Sequence, residues 1–355
     1  EFLWYDSSIP SVSPGSLPTS AIFPDIGWAA LRSGWDTDDT LIGFRSGIAN
    51  AGHSRPEQNS FFLDALGERL IIEPGMPTGG YTDSDYEGYY RTTLSQNTIL
   101  INGDPQSQEK ILLNAGSQPA GEITDSVNSN FYDAVTGSAA RVYKGKLATF
   151  DRHLVFIKSS GYAVVFDNLI SSVGPVEFDS LLHAEGTNSI SVSGDTVRIT
   201  QNAATLHAKV LTPSGFQYEI RTTPDRPNSY ILFHPAVNSI SAQFLLTLYP
   251  TATGGSPPPI TRIQNGSVTG VKVVQGDVTD LVLFNPSGSG ISAEGVTSDA
   301  NQVYVRLENG AVTAFAIHQG KTLAYHGIHL FTAANPATAA CSDADASGLM
   351  PCEPA

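Results

Sequence analysis

The chain has 355 residues, with 19 Lys and Arg against 34 Asp and Glu and a formal net charge of −15. That balance excludes a nucleic-acid binder, which needs a basic stripe to neutralise phosphates, and no apolar run reaches the ~20 residues that span a bilayer. Charged residues make up 15% and there are 33 Gly and 22 Pro, against a usual charged share of about 25%; this composition points to a turn-rich, all-β build of one large or two medium domains.

Residues 1–25 carry Pro10, Pro14, Pro18 and Pro24 and read as an extended lead-in. Trp28 to Leu31 and Thr40 to Phe44 read as strands joined by the acidic turn Asp36 to Asp39. The stretch from Phe44 to Gln106 then gathers the groups capable of chemistry: His53, Arg55, Glu57, Glu73, Tyr81, Tyr86, Tyr89, Tyr90, Arg91, Gln96 and Asn97. Strand-like runs at Ser60 to Leu63, Leu70 to Ile72 and Asn97 to Ile101 separate them, and Asn102-Gly103 signals a tight turn. From 119 to 250, strand follows strand, as in 149–157, 163–166, 176–182, 196–200, 206–211, 230–233 and 243–248. Spacing of about ten residues predicts a large multi-sheet antiparallel sandwich, and no segment carries an amphipathic helical period.

TATGGSPPP at 251–259 is the best linker, which places a boundary near 255 and divides the chain into 26–255 and a smaller β subdomain at 256–335. The later strands, 268–274, 280–284, 302–307, 312–316 and 322–325, form either a second sandwich or the closing layer of the first. Residues 336–355 read as a tail that lies along the surface or frays. The two cysteines, Cys341 and Cys352, fall in that polar tail. They are either a disulfide formed in an oxidising compartment or two free thiols, and the disulfide reading places the protein outside the cell or in a periplasm.

The central stretch also carries a resemblance. His53-Ser54-Arg55-Pro56-Glu57, Asn59-Ser60-Phe61, Gly67, Glu73-Pro74-Gly75, the tyrosines from Tyr81 to Tyr90, Gln96-Asn97-Thr98 and Gly103-Asp104-Pro105-Gln106 keep a shared order and spacing. In this they resemble the C-terminal β-sandwich region of the heparinase II/III-like polysaccharide lyases, which include oligoalginate lyases. Leu31 to Trp35 and Arg152 to Phe156 also look familial. The resemblance implies a super-sandwich fold, and it places Glu1 near the point where a helical toroid ends in such lyases. It also implies a structural zinc, but the positions that would hold it carry Arg55, Glu73 and Gln96 here. Arginine offers no lone pair and glutamine is a poor ligand, so no metal and no cofactor is expected. Arg55 and Glu73 are instead candidates for an ion pair, the alternative being Arg55 in solvent.

Lyases of this kind cleave uronic polymers by β-elimination, in which a base removes the proton α to a neutralised carboxylate and an acid protonates the leaving oxygen. The resemblance assigns His53, Tyr81 and Tyr89 as catalytic candidates; Arg45, Arg55 and Arg91, which with His53 could form a local basic cluster against the net negative charge, and Asn97 are the substrate-binding candidates. His53 is otherwise an ordinary loop histidine, and the tyrosine loop is otherwise an interface. His153, His183, His207, His234, His318, His326 and His329 read as structural. Three functions remain open: a non-catalytic module that binds a carbohydrate (an acidic polysaccharide or other glycan) or a protein, a lyase completed by a toroid, and a self-associating structural protein.

Overall fold

The computed structural model describes residues 6, 8–48, 54–110, 119–343 and 352–354. His53 lies outside the described residues. The architecture is all-β, as the composition and turn spacing predict, with four antiparallel sheets among the described residues.

The N-terminal sheet runs in sequence order through Ala21–Phe23, Trp28–Arg32, Leu41–Arg45, Ser60–Ala65 and Glu68–Ile71. The central sheet has eight strands. Its spatial order is Ile190–Ser193, Thr196–Gln201, Ala204–Thr212, Ser241–Ala252, Tyr162–Ser171, Leu147–Ile157, Tyr132–Ser138 and Glu122–Asn128. A flanking sheet of four strands is ordered Gln217–Thr222, Asn228–His234, Phe178–Glu185 and Ile99–Ile101. The C-terminal sheet starts at Ile260–Asn265, runs through Val268–Gln275, Val278–Phe284, Gln302–Glu308 and Ala311–Tyr325, and takes in Ile328–Ser342.

Period-two alternation makes the central sheet a wall with two apolar faces. Val135, Leu154, Phe156, Val165, Phe244 and Leu246 point one way, into a core shared with Leu31, Phe44 and Phe61 of the N-terminal sheet and Ile99, Phe178 and Phe233 of the flanking sheet. Ala134, Val155, Ile157, Val164, Phe166 and Leu245 point the other way and meet Ile260, Val271, Val282, Phe284 and Tyr304 of the C-terminal sheet. The strand ending at Ala252 leads through the Gly/Pro-rich segment to the strand beginning at Ile260.

Two expectations are corrected. The runs 312–316 and 322–325 are one strand, Ala311–Tyr325, because its register with its partner shifts at Gly320 without the ladder ending. The tail begins later than 336: Ile328–Ser342 pairs with Ala311–Tyr325, and Cys341 is fully buried in an apolar cluster with Phe315, Ile317 and Ala339. The last described strand, Cys352–Pro354, lies beside it with Cys341 opposite Cys352. Among the described residues, no helix is long and apolar enough to cross a membrane.

Candidate functional site

The N-terminal sheet buries Leu31, Ile42, Phe44, Phe61 and Leu63, so the intervening residues Trp28, Gly43, Arg45, Phe62 and Asp64 belong to its outer face. Gly43 stands opposite Phe62 in the ladder. A Cβ on Gly43 would sit 2.1 Å from the Phe62 ring, so the ring can lie over this strand only because the residue beneath it is glycine. Arg45 stands opposite Trp28, with its guanidinium 5.0 Å from the indole centroid. Its donors go to the carbonyls of Ile26 and Ile48 and, at 3.4 Å, to Glu57 Oε1.

Over this face lies a groove of about 520 Å³ lined by Trp28, Arg55, Glu57, Phe62, Arg69 and Glu73, among others. A second hollow of about 550 Å³ shares Arg69, Ile72 and Glu73 and extends the groove towards Glu185 and Arg226. Arg69 is exposed and reaches Glu185 at 2.6 Å. Burial pushes the Glu73 carboxyl up to about 7; the Glu57 charge adds to this, and Arg55 and Arg45 oppose it. Burial likewise raises Glu57, against the attraction of Arg45 and Arg55. The groove therefore joins two aromatic rings to arginines and to two acids, buried Glu57 and half-buried Glu73, that hold protons more readily than free carboxylates.

These residues do not fit a zinc ion. Among the described residues no three His, Cys, Asp or Glu side chains gather as a metal site. Arg55 offers no lone pair, Gln96 is fully buried and donates to Ser95 Oγ at 2.7 Å, and a ligating carboxylate must be deprotonated where burial favours the proton on Glu73. The Arg55 charge acts on both Glu57 and Glu73. Within 4 Å, however, the ion pair of the described residues here is Arg45 with Glu57, so Arg55 and Glu73 are not a contact pair.

Of the described candidates, Arg55 lines the groove; Arg45 is 5% exposed and supports Trp28 beside it. Tyr81, Tyr89, Arg91 and Asn97 lie elsewhere. Tyr86–Tyr90 forms a single π-helical turn that buries Tyr86, Tyr89 and Tyr90 against Leu100, Leu181, Tyr230 and Leu232 on the outside of the flanking sheet. Burial drives the Tyr89 hydroxyl far above its ordinary value. Tyr81 stays exposed, edge-on to Tyr86 with centroids 5.2 Å apart, and Arg91 pairs with Glu87 at 2.9 Å. Asn97 is wholly enclosed: its amide donates to the carbonyls of Phe61 and Ile72 at 2.8 Å each, and its oxygen accepts from the His183 backbone N–H at 2.8 Å and the His183 ring at 3.0 Å. In this conformation Asn97 ties three chain segments together and has no atom left for a substrate. Burial pushes the His183 imidazole down to about 3, so it stays neutral.

Sequence reasoning missed Trp28, Phe62 and Arg69. The signal was available: two-residue alternation around the apolar Leu31, Ile42, Phe61 and Leu63 assigns Trp28, Gly43 and Phe62 to one outward face.

Stacked antiparallel sheets in this arrangement are shared with the sandwich portions of solved polysaccharide lyases. A heparan sulfate lyase, HepC, from Pedobacter heparinus superposes with a TM-score of 0.61 at 16% identity, covering 75% of this chain and 42% of that one. A heparinase III superposes with a TM-score of 0.58 at 18% identity, again covering 75% of this chain and 42% of the other. At such identities the likeness is one of fold, and this chain spans less than half the length of those lyases. No curated protein matches the chain. Residues 16–250 match the family described as heparinase II/III-like, C-terminal, and the chain belongs to that family.

Proposed function

We propose that this chain is a glycan-binding sandwich of a polysaccharide lyase, that it seats a segment of an acidic polysaccharide in the groove on the N-terminal sheet, and that it does not by itself carry out elimination. The observation that carries this reading is the groove. Trp28 and Phe62 offer flat faces for sugar rings, and Arg55 and Arg69 offer donors for carboxylate or sulfate. The Arg69 pair with Glu185 is exposed, so it is weak enough for a ligand to displace. The net charge of −15 repels a polyanion at long range, but at distances below a Debye length of about 8 Å the local arginines dominate.

Elimination needs a base and an acid placed together. Tyr89 is buried with its proton held tightly, and Asn97 is fully engaged. Of the other catalytic candidates, Tyr81 is exposed and His53 lies outside the described residues; on this reading the missing base and acid come from a helical domain that completes the cleft. A polymeric substrate places the protein outside the cell or in a periplasm. The test is affinity for heparan sulfate and alginate oligosaccharides together with ultraviolet absorbance from unsaturated ends. The expected outcome is binding that Arg55→Ala and Arg69→Ala each weaken about tenfold, with no unsaturated product. Product formation by this chain, abolished in His53→Ala, would make it a complete lyase; absence of binding would remove the glycan reading.

A further inference from the structure

A second cavity, remote from the groove, lies in the seam between the central and C-terminal sheets. It has a volume of about 260 Å³ and is lined by Ser138, Asp151, His153, Asn168, Phe284 and Asn301, among others. That is below the ~300–1,000 Å³ typical of drug-sized ligands, and so on the scale of a single ring. None of its lining residues is cationic, which sets it apart from the arginine-bearing groove.

The wall of this cavity is held by a directional chain of hydrogen bonds. Gln302 Nε2 donates to the Tyr132 hydroxyl oxygen at 3.0 Å, so Gln302 Oε1 is an acceptor and the His153 Nδ1–H donates to it at 2.8 Å. The Tyr132 hydroxyl donates in turn to His318 Nε2 at 3.0 Å, and His318 Nδ1–H donates to Asp125. Thr136 Oγ1 also lies 3.1 Å from His153 Nδ1 and shares that hydrogen as a second acceptor under this assignment. His153 is packed between the rings of Phe166 and Phe284, with centroids at 5.8 and 5.5 Å. Burial lowers its pKa, so the ring is neutral, with Nε2 as a bare acceptor.

The remaining polar groups are uncommitted. Among the described residues, the side chains of Ser138, Asp151, Asn168 and Asn301 make no hydrogen bond, although all four line the same small cavity. Ser138, Asp151 and Asn168 are half-buried and Asn301 is exposed, so their free donors and acceptors are open to a ligand that enters from solvent. The set is rich in acceptors (the Asp151 carboxylate, the His153 Nε2 and the amide oxygens) and has apolar surface from Phe166, Phe284 and Pro286. It matches a molecule that presents several hydroxyl donors around an apolar ring face, and Asp151 rejects an anion.

We propose that this seam cavity is a binding subsite for one neutral pyranose unit, separate in place and in charge preference from the groove. The test is titration calorimetry, or ligand-observed NMR, of the whole chain with glucose, N-acetylglucosamine and glucuronate. The expected result is binding of a neutral sugar, with glucuronate at least about tenfold weaker. Asp151→Ala should lose about tenfold or more, and Asn301→Trp, at the exposed mouth, should abolish binding without moving the melting temperature. Arg55→Ala, in the groove, should leave it unchanged. Absence of binding to either neutral sugar, glucuronate binding as well as glucose, or full affinity in Asp151→Ala and Asn301→Trp would each overturn the proposal. None of these outcomes bears on whether the groove holds an acidic polymer.

Discussion

Arg152 is 1% exposed and spends its guanidinium on four bonds. Two go to the Asp167 carboxylate at 2.6 and 2.7 Å, and two go to the carbonyls of Asn59 and Asn97 at 2.5 and 2.6 Å. A strand of the central sheet thus fixes the backbone at Asn97, and Asn97 in turn fixes His183. Arg152→Met keeps most of the volume but strands Asp167 as an unpaired buried charge, so it should cost about 3–5 kcal/mol in urea denaturation; a loss under 1 kcal/mol would show that Asp167 finds another partner or a proton. Glu73 makes a prediction of opposite sign. Its folded pKa is raised from 4.5 to about 7, so between those values the folded state holds a proton that the unfolded state has lost. The associated stability is present below about pH 4.5 and is lost as pH rises through about 7. Glu73→Gln should therefore be more stable than wild type at pH 8, by on the order of 1–2 kcal/mol after solvent screening, and the gain should shrink towards pH 4.5. Stability curves of the two proteins that stay parallel across this range would contradict the raised value.

At the scale of elements, the outer face of the N-terminal sheet depends on a missing side chain. Gly43→Ala places a methyl group where the Phe62 ring now lies, at 2.1 Å. The ring must swing out or the strands must separate, at a cost of about 1–3 kcal/mol. Glycan affinity in the groove should fall with it, measured against the same oligosaccharides; unchanged affinity would mean that Phe62 is not part of the binding surface. Much of this level was legible in the sequence. The strands at Trp28, Ser60, Leu70, Val268 and Gln302 are marked by apolar alternation and bounded by turn residues, and Asn102-Gly103 does form a positive-φ turn, at 56° and 64°. What was not legible was which sheet each polar segment faces. Family order suggested that the tyrosines and Asn97 line a cleft, but the π turn rotates Tyr86, Tyr89 and Tyr90 onto the flanking sheet. Nothing local in the sequence distinguishes a tyrosine packed on a neighbouring sheet from one presented to a ligand. The strands Gln217–Thr222 and Glu122–Asn128 are not singled out in the sequence either: Glu122–Asn128 carries little apolar alternation, and Gln217–Thr222 alternates at Tyr218 and Ile220 but buries none of its residues. The first is an edge strand exposed along its length, and it carries the Glu219–Arg221 pair, the kind of charge that discourages edge-to-edge pairing.

On the scale of the whole molecule, the central sheet is the shared wall of two cores, and the seam with the C-terminal sheet is clamped by polar contacts as well as apolar ones. Arg306 grips Asp280 at 2.8 and 2.9 Å, and Tyr162 of the central sheet and Tyr304 both donate to the same carboxylate. The far end of the C-terminal sheet is closed by the final described strand, only Cys352–Pro354, which by itself contributes few ladder bonds. Its register sets Cys341 directly opposite Cys352 in an antiparallel pair, a placement compatible with a covalent bridge. The sequence suggests this bridge because both cysteines read as part of a polar tail. The burial of Cys341 in an apolar cluster removes that reason and supplies a different one, the register itself. Closing so short a loop should contribute about 2–3 kcal/mol by the chain-entropy model. The bridge predicts a mass two hydrogen atoms below that of the reduced chain, no alkylation before reduction, and a Cys352→Ser variant that loses the last strand's protection in hydrogen exchange while the ladder from Ile328 to Ser342 keeps its own. Alkylation of both cysteines in the unreduced protein would leave the register without a bond and would take away the main support for an oxidising compartment.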